Sequence, residues 1–131
     1  MFTIGLNRAI TMIAEAKPGR MSSSEIKNSI LLENAKAPHH NYVGDSIIGK
    51  NCNLGSGTKI TNLRLDKKEI NVVHKGKLVN TGRKKMGVIM GDNVATGINS
   101  SINSGTIIGS DTKIGPNALI SGTYESKSLI I

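Results

Sequence analysis

Hydrophobic residues recur every six positions between Met90 and Gly122, in the stretch MGDNVATGINSSINSGTIIGSDTKIGPNALISG. The first position of each hexad is mostly aliphatic, and the fifth is small or β-branched. The fourth position is held mainly by residue types that tolerate a left-handed backbone. These first and fourth positions are Met90, Thr96, Ile102, Ile108, Ile114 and Ile120, and Asn93, Asn99, Gly105, Asp111, Asn117 and Thr123. The pattern predicts a short strand and a turn in every hexad.

A helix cannot use this pattern, because a step of six residues advances by about 240° and scatters the aliphatic side chains around the helix. A strand can use it, because six is even and the aliphatic residue always returns to the same face. Three strands joined by turns make one triangular coil, and stacked coils bury a narrow core. We therefore predict an all-β protein, a left-handed parallel β-helix built from hexapeptide repeats. A β-sandwich of hairpins would space its turns more widely and less evenly.

The repeat is also present earlier in the chain, with interruptions. Ile48, Leu54 and Ile60 are first positions, and the step from Val43 to Ile48 is one residue short. Before them, a looser repeat places Ile26 and Leu32 six residues apart. The repeat stops near residue 63 and resumes by residue 90, so residues 64–87 are predicted to be an insertion thrown out from one corner of the prism.

The two ends of the chain do not keep the hexad. The spacing of apolar residues over 7–16 fits a short amphipathic helix that caps the prism, although a disordered arm is the alternative. We therefore divide the chain into an arm or capping helix at 1–21 and a β-helix domain at 22–131. The apolar end of the tail after Gly122 is expected to plug the far opening of the prism.

Composition narrows the class of protein. With two tyrosines, one phenylalanine and no tryptophan among 131 residues, Ile, Val and Leu must fill the core. No apolar run is long enough to span a membrane, and the first residues lack the features of a signal peptide, so we expect a cytoplasmic protein. The lone cysteine, Cys52, falls on a fifth position, where it is expected to pack rather than to react.

The net charge of +8 is concentrated in the insertion, which carries +6 of it. A local basic patch points to a phosphorylated partner. Val72, Val73, Leu78 and Val79 within it are expected either to pair as a hairpin around Lys75-Gly76 or to pack against a neighbouring subunit.

Polar residues with chemical potential concentrate near the insertion: Lys27, His39, His40, Asn41, Tyr42, Asp45, Asn53 and Asn62. Stacking of coils brings residues about 18 apart close together, so these side chains are expected to share one edge. A neutral imidazole is a suitable general base near pH 7, and lysines suit an anionic substrate group. Solvated turn histidines and turn-forming asparagines are the alternative. A zinc site of the γ-carbonic anhydrase type needs a histidine triad, which adjacent His39 and His40 plus His74 match poorly.

Two runs, HHNYVGDSIIGKNCNLGSGTKITNLRLDKK and VIMGDNVATGINSSINSGTIIG, resemble the C-terminal acetyltransferase domain of bifunctional sugar-1-phosphate nucleotidylyltransferases. These include the N-acetylglucosamine-1-phosphate uridylyltransferase/glucosamine-1-phosphate acetyltransferases of bacteria and their archaeal relatives. The similarity covers residues 25–122. It implies acetyl transfer from acetyl-CoA to a hexosamine 1-phosphate without a metal ion, in a homotrimer of parallel prisms with acetyl-CoA in the groove between neighbours.

The resemblance also implies roles for individual residues. His39 rather than His40 corresponds to the general base, and Glu25 to the carboxylate that polarises it. The family residues that hold the amino-sugar phosphate and the acetyl group correspond to Lys27, Tyr42, Asn53, Asn62 and Lys68. The residues that bind acetyl-CoA correspond to Ser56, Ile98 and Pro116. A backbone N–H near Ser56 would face the developing oxyanion.

The chain also departs from that family. Nothing matches the nucleotidylyltransferase signature, so nucleotide transfer is expected to be absent. An arginine that holds the sugar phosphate has no aligned counterpart, although Arg8 or Arg20 are candidates, and Leu63 stands where bacterial members have tyrosine. The rival hypothesis is a non-catalytic trimeric module whose basic insertion binds nucleic acid or an acidic protein. We rank it lower, because no Phe, Tyr or Trp lies among the lysines to stack on bases.

Overall fold

Parallel strands wind around a narrow core to form a three-sided prism, the predicted left-handed β-helix. The computed structural model describes residues 11–13 and 24–131. The first wall consists of β1 (Thr11–Ile13), β3 (Ser29–Leu31), β5 (Ile47–Ile48), β10 (Val88–Met90), β13 (Thr106–Ile108) and β16 (Thr123–Tyr124). The second wall consists of β2 (Glu25–Lys27), β4 (Tyr42–Gly44), β7 (Lys59–Ile60), β12 (Ser101–Ile102) and β15 (Leu119–Ile120). The third wall consists of β6 (Asn53–Leu54), β11 (Ala95–Thr96), β14 (Lys113–Ile114) and β17 (Leu129–Ile130).

The core is the column of aliphatic side chains that the hexads predicted. Each wall contributes one residue per coil, and most of these side chains are fully buried: Val43, Ile48, Leu54, Ile60, Ile102, Ile108 and Ile120. The corners follow from the fourth positions. Asn93, Asn99, Asp111 and Asn117 all have φ between 55° and 61°, in the left-handed region that asparagine and aspartate tolerate. The predicted fold is confirmed at both kinds of position.

The two coils between Glu25 and Ile60 are one residue shorter than the first coil after the insertion. Ile30 pairs with Ile47, 17 residues on, whereas Val88 pairs with Thr106, 18 residues on. The short turns lie at Asn28 and Asp45, with φ of 50° and 46°. The first of them corrects the assignment of Leu32: the core residue after Ile26 is Leu31, which is fully buried.

The insertion leaves and rejoins the prism at the corner between the second and first walls. Paired residues are 42 apart across it, as for Ile47 and Ile89, against 18 in the coil that follows, so it adds 24 residues, as predicted. Its predicted hairpin is confirmed, with β8 (Asn71–His74) antiparallel to β9 (Lys77–Asn80). The insertion folds back onto the prism at Gly105, where an added Cβ would lie 2.5 Å from the carbonyl oxygen of Asn71.

Two expectations about the ends of the chain are wrong where the structure describes them. Thr11–Ile13 form a strand paired in parallel with Ser29–Leu31, not part of a helix; the rest of the predicted helix, and the division at residue 21, lie outside the described residues. The tail does not leave the coils, because Thr123–Tyr124 and Leu129–Ile130 extend the first and third walls. In the part of the chain that the structure describes, no helix is long and apolar enough to cross a membrane.

Candidate functional site

The corner between the second and first walls, here called the Asp45 corner, gathers polar side chains from three coils onto one carboxylate. The side-chain amides of Asn28 and Asn62 each donate to Asp45 over 2.6 Å, to Oδ2 and Oδ1 respectively. The ammonium of Lys27 lies 3.4 Å from Oδ1. Only 6% of the Asp45 side chain is exposed, against 39% of Lys27. The corner therefore joins two predicted substrate residues, Lys27 and Asn62, through a third side chain.

The environment of Asp45 favours its charged form. Burial alone raises the pKa of this carboxyl, but the hydrogen bonds from Asn28 and Asn62 and the charge of Lys27 outweigh that effect. The net result is a pKa below the ordinary value for aspartate. The carboxylate is thus ionised at neutral pH and can only accept hydrogen bonds.

Tyr42 joins the same corner from the outer face of the second wall. A Cβ built on Gly44 would lie 2.7 Å from the Tyr42 hydroxyl and 2.8 Å from Nδ2 of Asn62. Both side chains therefore lie against the space that a side chain at position 44 would fill. Three of the predicted substrate residues, Lys27, Tyr42 and Asn62, are brought together here.

The opposite edge of the second wall, here called the His39 corner, stacks the predicted base on the predicted acetyl-CoA residues. Gly57 N–H donates to the carbonyl oxygen of His39, Asn99 N–H to that of Ser56, and Asn117 N–H to that of Ile98, over 2.8 to 3.0 Å. These bonds place His39, Ser56, Ile98 and Pro116 at equivalent turn positions of successive coils. The side chains of all four are exposed, Ile98 by 52%.

A buried amide fixes the His39 turn. The backbone N–H of His39 donates to Oδ1 of Asn41 over 3.1 Å, and Nδ2 of Asn41 donates to the carbonyl oxygen of Gly55 over 2.7 Å. Asn41 therefore ties the turn of the predicted base to the turn that carries Ser56. Among the described residues, the backbone N–H of Ser56 has no acceptor, so it is free to donate to a bound group.

Asn53 and Lys68 do not converge with these residues within one chain, and Glu25 does not contact the residue that it is predicted to polarise. Glu25 lies on the second wall, in register with Tyr42, and makes no hydrogen bond to His39 within the described residues. Asn53 is exposed on the third wall, in register with Ala95. Lys68 is in the insertion, where its backbone N–H donates to Asp66.

The insertion surrounds a basic cavity of about 500 Å³, lined by Arg64, Lys67, Lys68, Glu69, Asn71, Asn80 and Lys84. Arg64 is already engaged, because its guanidinium donates twice to the Asp66 carboxylate, over 2.8 and 2.6 Å. This pairing lowers the pKa of Asp66. The three lysines remain as the cations that face the cavity.

Two residues that carry the geometry, Asn41 and Asp45, were only members of the polar cluster in the sequence and had no predicted role. Asp45 had one visible signal, the short step from Val43 to Ile48 around it. Cys52 behaves as expected from its position: it is fully buried, and burial raises the pKa of its thiol to about 11. Within residues 24–131, no three His, Cys, Asp or Glu side chains cluster closely enough to hold a metal ion.

Comparison with known proteins places this architecture among transferases. The family described as bacterial transferase hexapeptide (six repeats) matches residues 87–122. The bifunctional protein GlmU of Methanococcus maripaludis strain C7 is 54% identical over 109 residues, which are 83% of this chain and 26% of that protein. The bifunctional sugar-1-phosphate nucleotidylyltransferase/acetyltransferase of Sulfurisphaera tokodaii is 46% identical over 99 residues, or 76% of this chain and 25% of that protein. The chain thus spans about a quarter of the curated relatives it matches.

A solved structure shares the fold at low sequence identity. Serine acetyltransferase isoform 3 from Entamoeba histolytica, in complex with cysteine, aligns with a TM-score of 0.55 and 16% identity, covering 83% of this chain and 32% of that chain. This likeness supports the β-helix alone.

Proposed function

We propose that this chain, which carries the hexapeptide-repeat, acetyltransferase-type domain of the GlmU family, transfers the acetyl group of acetyl-CoA to the amine of a hexosamine 1-phosphate. The resemblance predicted from the sequence is confirmed by the relatives at 54% and 46% identity. Glucosamine 1-phosphate is the acceptor to test first. One observation carries the proposal: a single wall holds Lys27, Tyr42 and Asn62 at one edge and the exposed His39 at the other.

The proposed reaction needs a base and an oxyanion donor close together. The neutral imidazole of His39 accepts a proton from the amine as its nitrogen attacks the thioester carbonyl carbon. The free N–H of Ser56, one coil on, supports the assignment of an oxyanion donor, which contributes a few kcal/mol in comparable sites. The C–N bond forms, the C–S bond breaks, and the imidazolium returns its proton to the departing thiolate. The products are the N-acetyl sugar phosphate and coenzyme A.

The acceptor sugar is assigned to the Asp45 corner. Lys27 offers a half-buried ammonium for the phosphate, while Tyr42 and Asn62 offer a hydroxyl and an amide for the sugar and acetyl group. Lys68 of the insertion supplies a second cation for the phosphate. The column of Ser56, Ile98 and Pro116 is assigned to acetyl-CoA, and Glu25 to orienting His39. No step of this reaction requires a metal ion.

We further propose that three copies of the chain assemble as a homotrimer of parallel prisms. The outer face of the first wall presents a ladder of isoleucines, Ile30, Ile47, Ile89 and Ile107, paired residue by residue across coils. Ile47 and Ile89 are 44% and 39% exposed, and an apolar row of this kind favours burial against a partner. A shared cleft would also bring in Asn53 and Lys68, which do not reach the Asp45 corner within one chain. A cytoplasmic location stays a prediction.

The test is release of coenzyme A from acetyl-CoA in the presence of the full chain and glucosamine 1-phosphate, followed with a thiol reagent. The buried Cys52 does not contribute to that signal. Galactosamine 1-phosphate, unphosphorylated glucosamine and a reaction without acceptor are run in parallel. We expect release that depends on the amino-sugar phosphate. Release at the same rate without any acceptor would refute the proposal.

The basic insertion does not favour the rival function of nucleic-acid binding. Residues 64–87 contain no Phe, Tyr or Trp for base stacking, and three of the lysines are accounted for by the cavity around Lys68.

A further inference from the structure

Asp45 has no role in the proposed reaction, and yet its carboxylate lies within hydrogen-bond distance of three side-chain donors. Its carboxylate is almost fully buried and faces side-chain donors from Lys27, Asn28 and Asn62. We infer that Asp45 is a positioning residue, which sets the orientation of the Asn62 amide and the place of the Lys27 ammonium for the acceptor substrate. This inference rests on the proposed function.

The orientation of the Asn62 amide follows from the chemistry of its partner. An ionised carboxylate is only an acceptor, so the nitrogen of the amide, not its oxygen, must face Asp45. The oxygen of Asn62 then points away from the carboxylate, and no donor among the described residues bonds to it. No buried side-chain atom there is left without a partner, so this oxygen reaches solvent. Asn62 thus presents a hydrogen-bond acceptor to the cleft, suited to an N–H or O–H of an amino sugar.

Asp45 also joins the two ends of the insertion. The N–H of Gly87, where the insertion returns, donates to the carbonyl oxygen of Asp45 over 2.8 Å. The N–H of Met86 donates to the carbonyl oxygen of Asn62, where the insertion leaves, over 3.1 Å. Asp45 therefore binds the returning end of the insertion, at Gly87, and the side-chain amide of Asn62, where the insertion leaves the prism. The side chain of Asp45 contacts the Asn62 amide, whereas its backbone carbonyl contacts Gly87. A substitution of the side chain therefore separates the two effects.

The decisive variant is Asp45→Asn, which keeps the size of the side chain and tolerates the φ of 46°. An amide at position 45 carries both a donor and an acceptor, so the Asn62 amide is no longer held in one orientation. We expect kcat/KM for glucosamine 1-phosphate to fall by about 10- to 100-fold, mainly through KM, as for loss of a hydrogen bond to a charged group. The KM for acetyl-CoA should change by less than about twofold, because acetyl-CoA is assigned to the opposite corner.

Asn28→Gly is the matched control. It removes a hydrogen bond of the same length to the same carboxylate, and glycine accepts the φ of 50° at this position. Asn28 is not assigned to any substrate, so this variant should keep kcat/KM close to wild type. Partial unfolding of Asp45→Asn would instead lower kcat and leave both KM values unchanged. Equal losses in the two variants, or an unchanged KM for the sugar phosphate in Asp45→Asn, would overturn the inference.

A readout without activity separates this inference from the proposed function. In ¹⁵N-labelled protein, the side-chain amide of Asn62, assigned by its loss in Asn62→Ala, should give one protected, shifted proton in the wild type. That signal should collapse toward the free value in Asp45→Asn and persist in Asn28→Gly. If the wild type transfers no acetyl group but the signal behaves in this way, the proposed function fails and the orienting role of Asp45 stands. An Asn62 signal indifferent to Asp45→Asn overturns that role, whatever the activity.

Discussion

The backbone N–H of Gly57 donates to the carbonyl oxygen of His39 over 3.0 Å, which sets the turn of the exposed histidine directly beside the following turn of the prism. In that following turn, the N–H of Ser56 has no acceptor among the described residues. The proposed base and the proposed oxyanion donor are therefore spaced by the stacking of coils rather than by a flexible loop. Such preorganisation is what acyl transfer requires, because the donors need not rearrange as charge develops.

His39 and His40 allow a test of the base in which only the position differs. Both side chains are exposed, and asparagine fits either backbone, including the φ of 51° at His40. We expect His39→Asn to lower kcat for acetyl transfer by about 10²- to 10⁴-fold, the usual contribution of a general base. His40→Asn should stay within about threefold of wild type, since its imidazole has no assigned role. Steady-state release of coenzyme A measures both variants, and a His39→Asn enzyme as active as His40→Asn would exclude His39 as the base.

Lys68 is expected to recognise the phosphate of the acceptor and nothing else. Lys68→Ala should raise KM for glucosamine 1-phosphate by about tenfold, in line with loss of a charge-assisted hydrogen bond, and leave the slower reaction of unphosphorylated glucosamine unchanged. Lys77→Ala, on the hairpin strand β9 outside the basic cavity, is the matched control. The ratio of kcat/KM for the two acceptors is the quantity to compare. An equal loss for both acceptors in Lys68→Ala would contradict a role in phosphate binding.

The fold was predictable where spacing alone decides it and not where two residues compete. The strict hexads from Met90 to Ile120 admit one strand register, so core and corners could be assigned there residue by residue. Thr123, which the hexad places at a corner, instead lies on β16, and the left-handed turn is at Gly122. Before the insertion, Leu31 and Leu32 are equally apolar, and only the left-handed turn at Asn28 makes Leu31 the buried one. Likewise, the apolar spacing before residue 16 fits a helix, but pairing of Thr11–Ile13 with the first wall prevails over local preference.

The candidate site shows the same limit in three dimensions. Candidate roles for His39, Tyr42 and Asn62 could be assigned from the sequence because a known family has the same residues in the same order, and these roles stay predictions. The role proposed for Asp45 could not be assigned in this way, because it depends on partners 17 residues away on either side, brought together only by stacking. Asn41 is hidden in the same way, since an asparagine at a corner of this fold is usually a turn former.

Ile47 and Ile48 are neighbours on β5 that face opposite sides of the first wall, and they separate core packing from assembly. Ile48 is fully buried, so Ile48→Ala should lower the free energy of unfolding by about 2–5 kcal/mol through the cavity it leaves. Ile47 is 44% exposed in the isoleucine ladder, so Ile47→Lys should leave the protomer folded and dissociate the proposed trimer.

Circular dichroism in urea and multi-angle light scattering report these two effects separately. Leu119→Lys, at a 71% exposed position on the second wall, is the control for adding a charge. If Ile47→Lys has the same mass in solution as wild type and as Leu119→Lys, the first wall is not the interface.

The lowered pKa of Asp45 predicts a specific dependence of stability on pH. Because the carboxylate is favoured in the folded state, its contribution is present above the pKa of the unfolded chain, about 3.9, and is lost as pH falls through the lower folded value. The difference in unfolding free energy between wild type and Asp45→Asn should therefore be constant from about pH 5 to 8 and shrink below about pH 4.

Asp66→Asn gives the control. The pKa of Asp66 is also lowered, but its ion pair with Arg64 is exposed to solvent. Salt at about 0.5 M should suppress what little Asp66 contributes, since its charges are screened, and leave most of the contribution of the buried Asp45. Urea unfolding between pH 3 and 8 at two salt concentrations measures all three proteins. A stability advantage of wild type over Asp45→Asn that grows on acidification would mean that the folded state prefers the protonated carboxyl. The description of Asp45 as an ionised carboxylate at this corner would then be wrong.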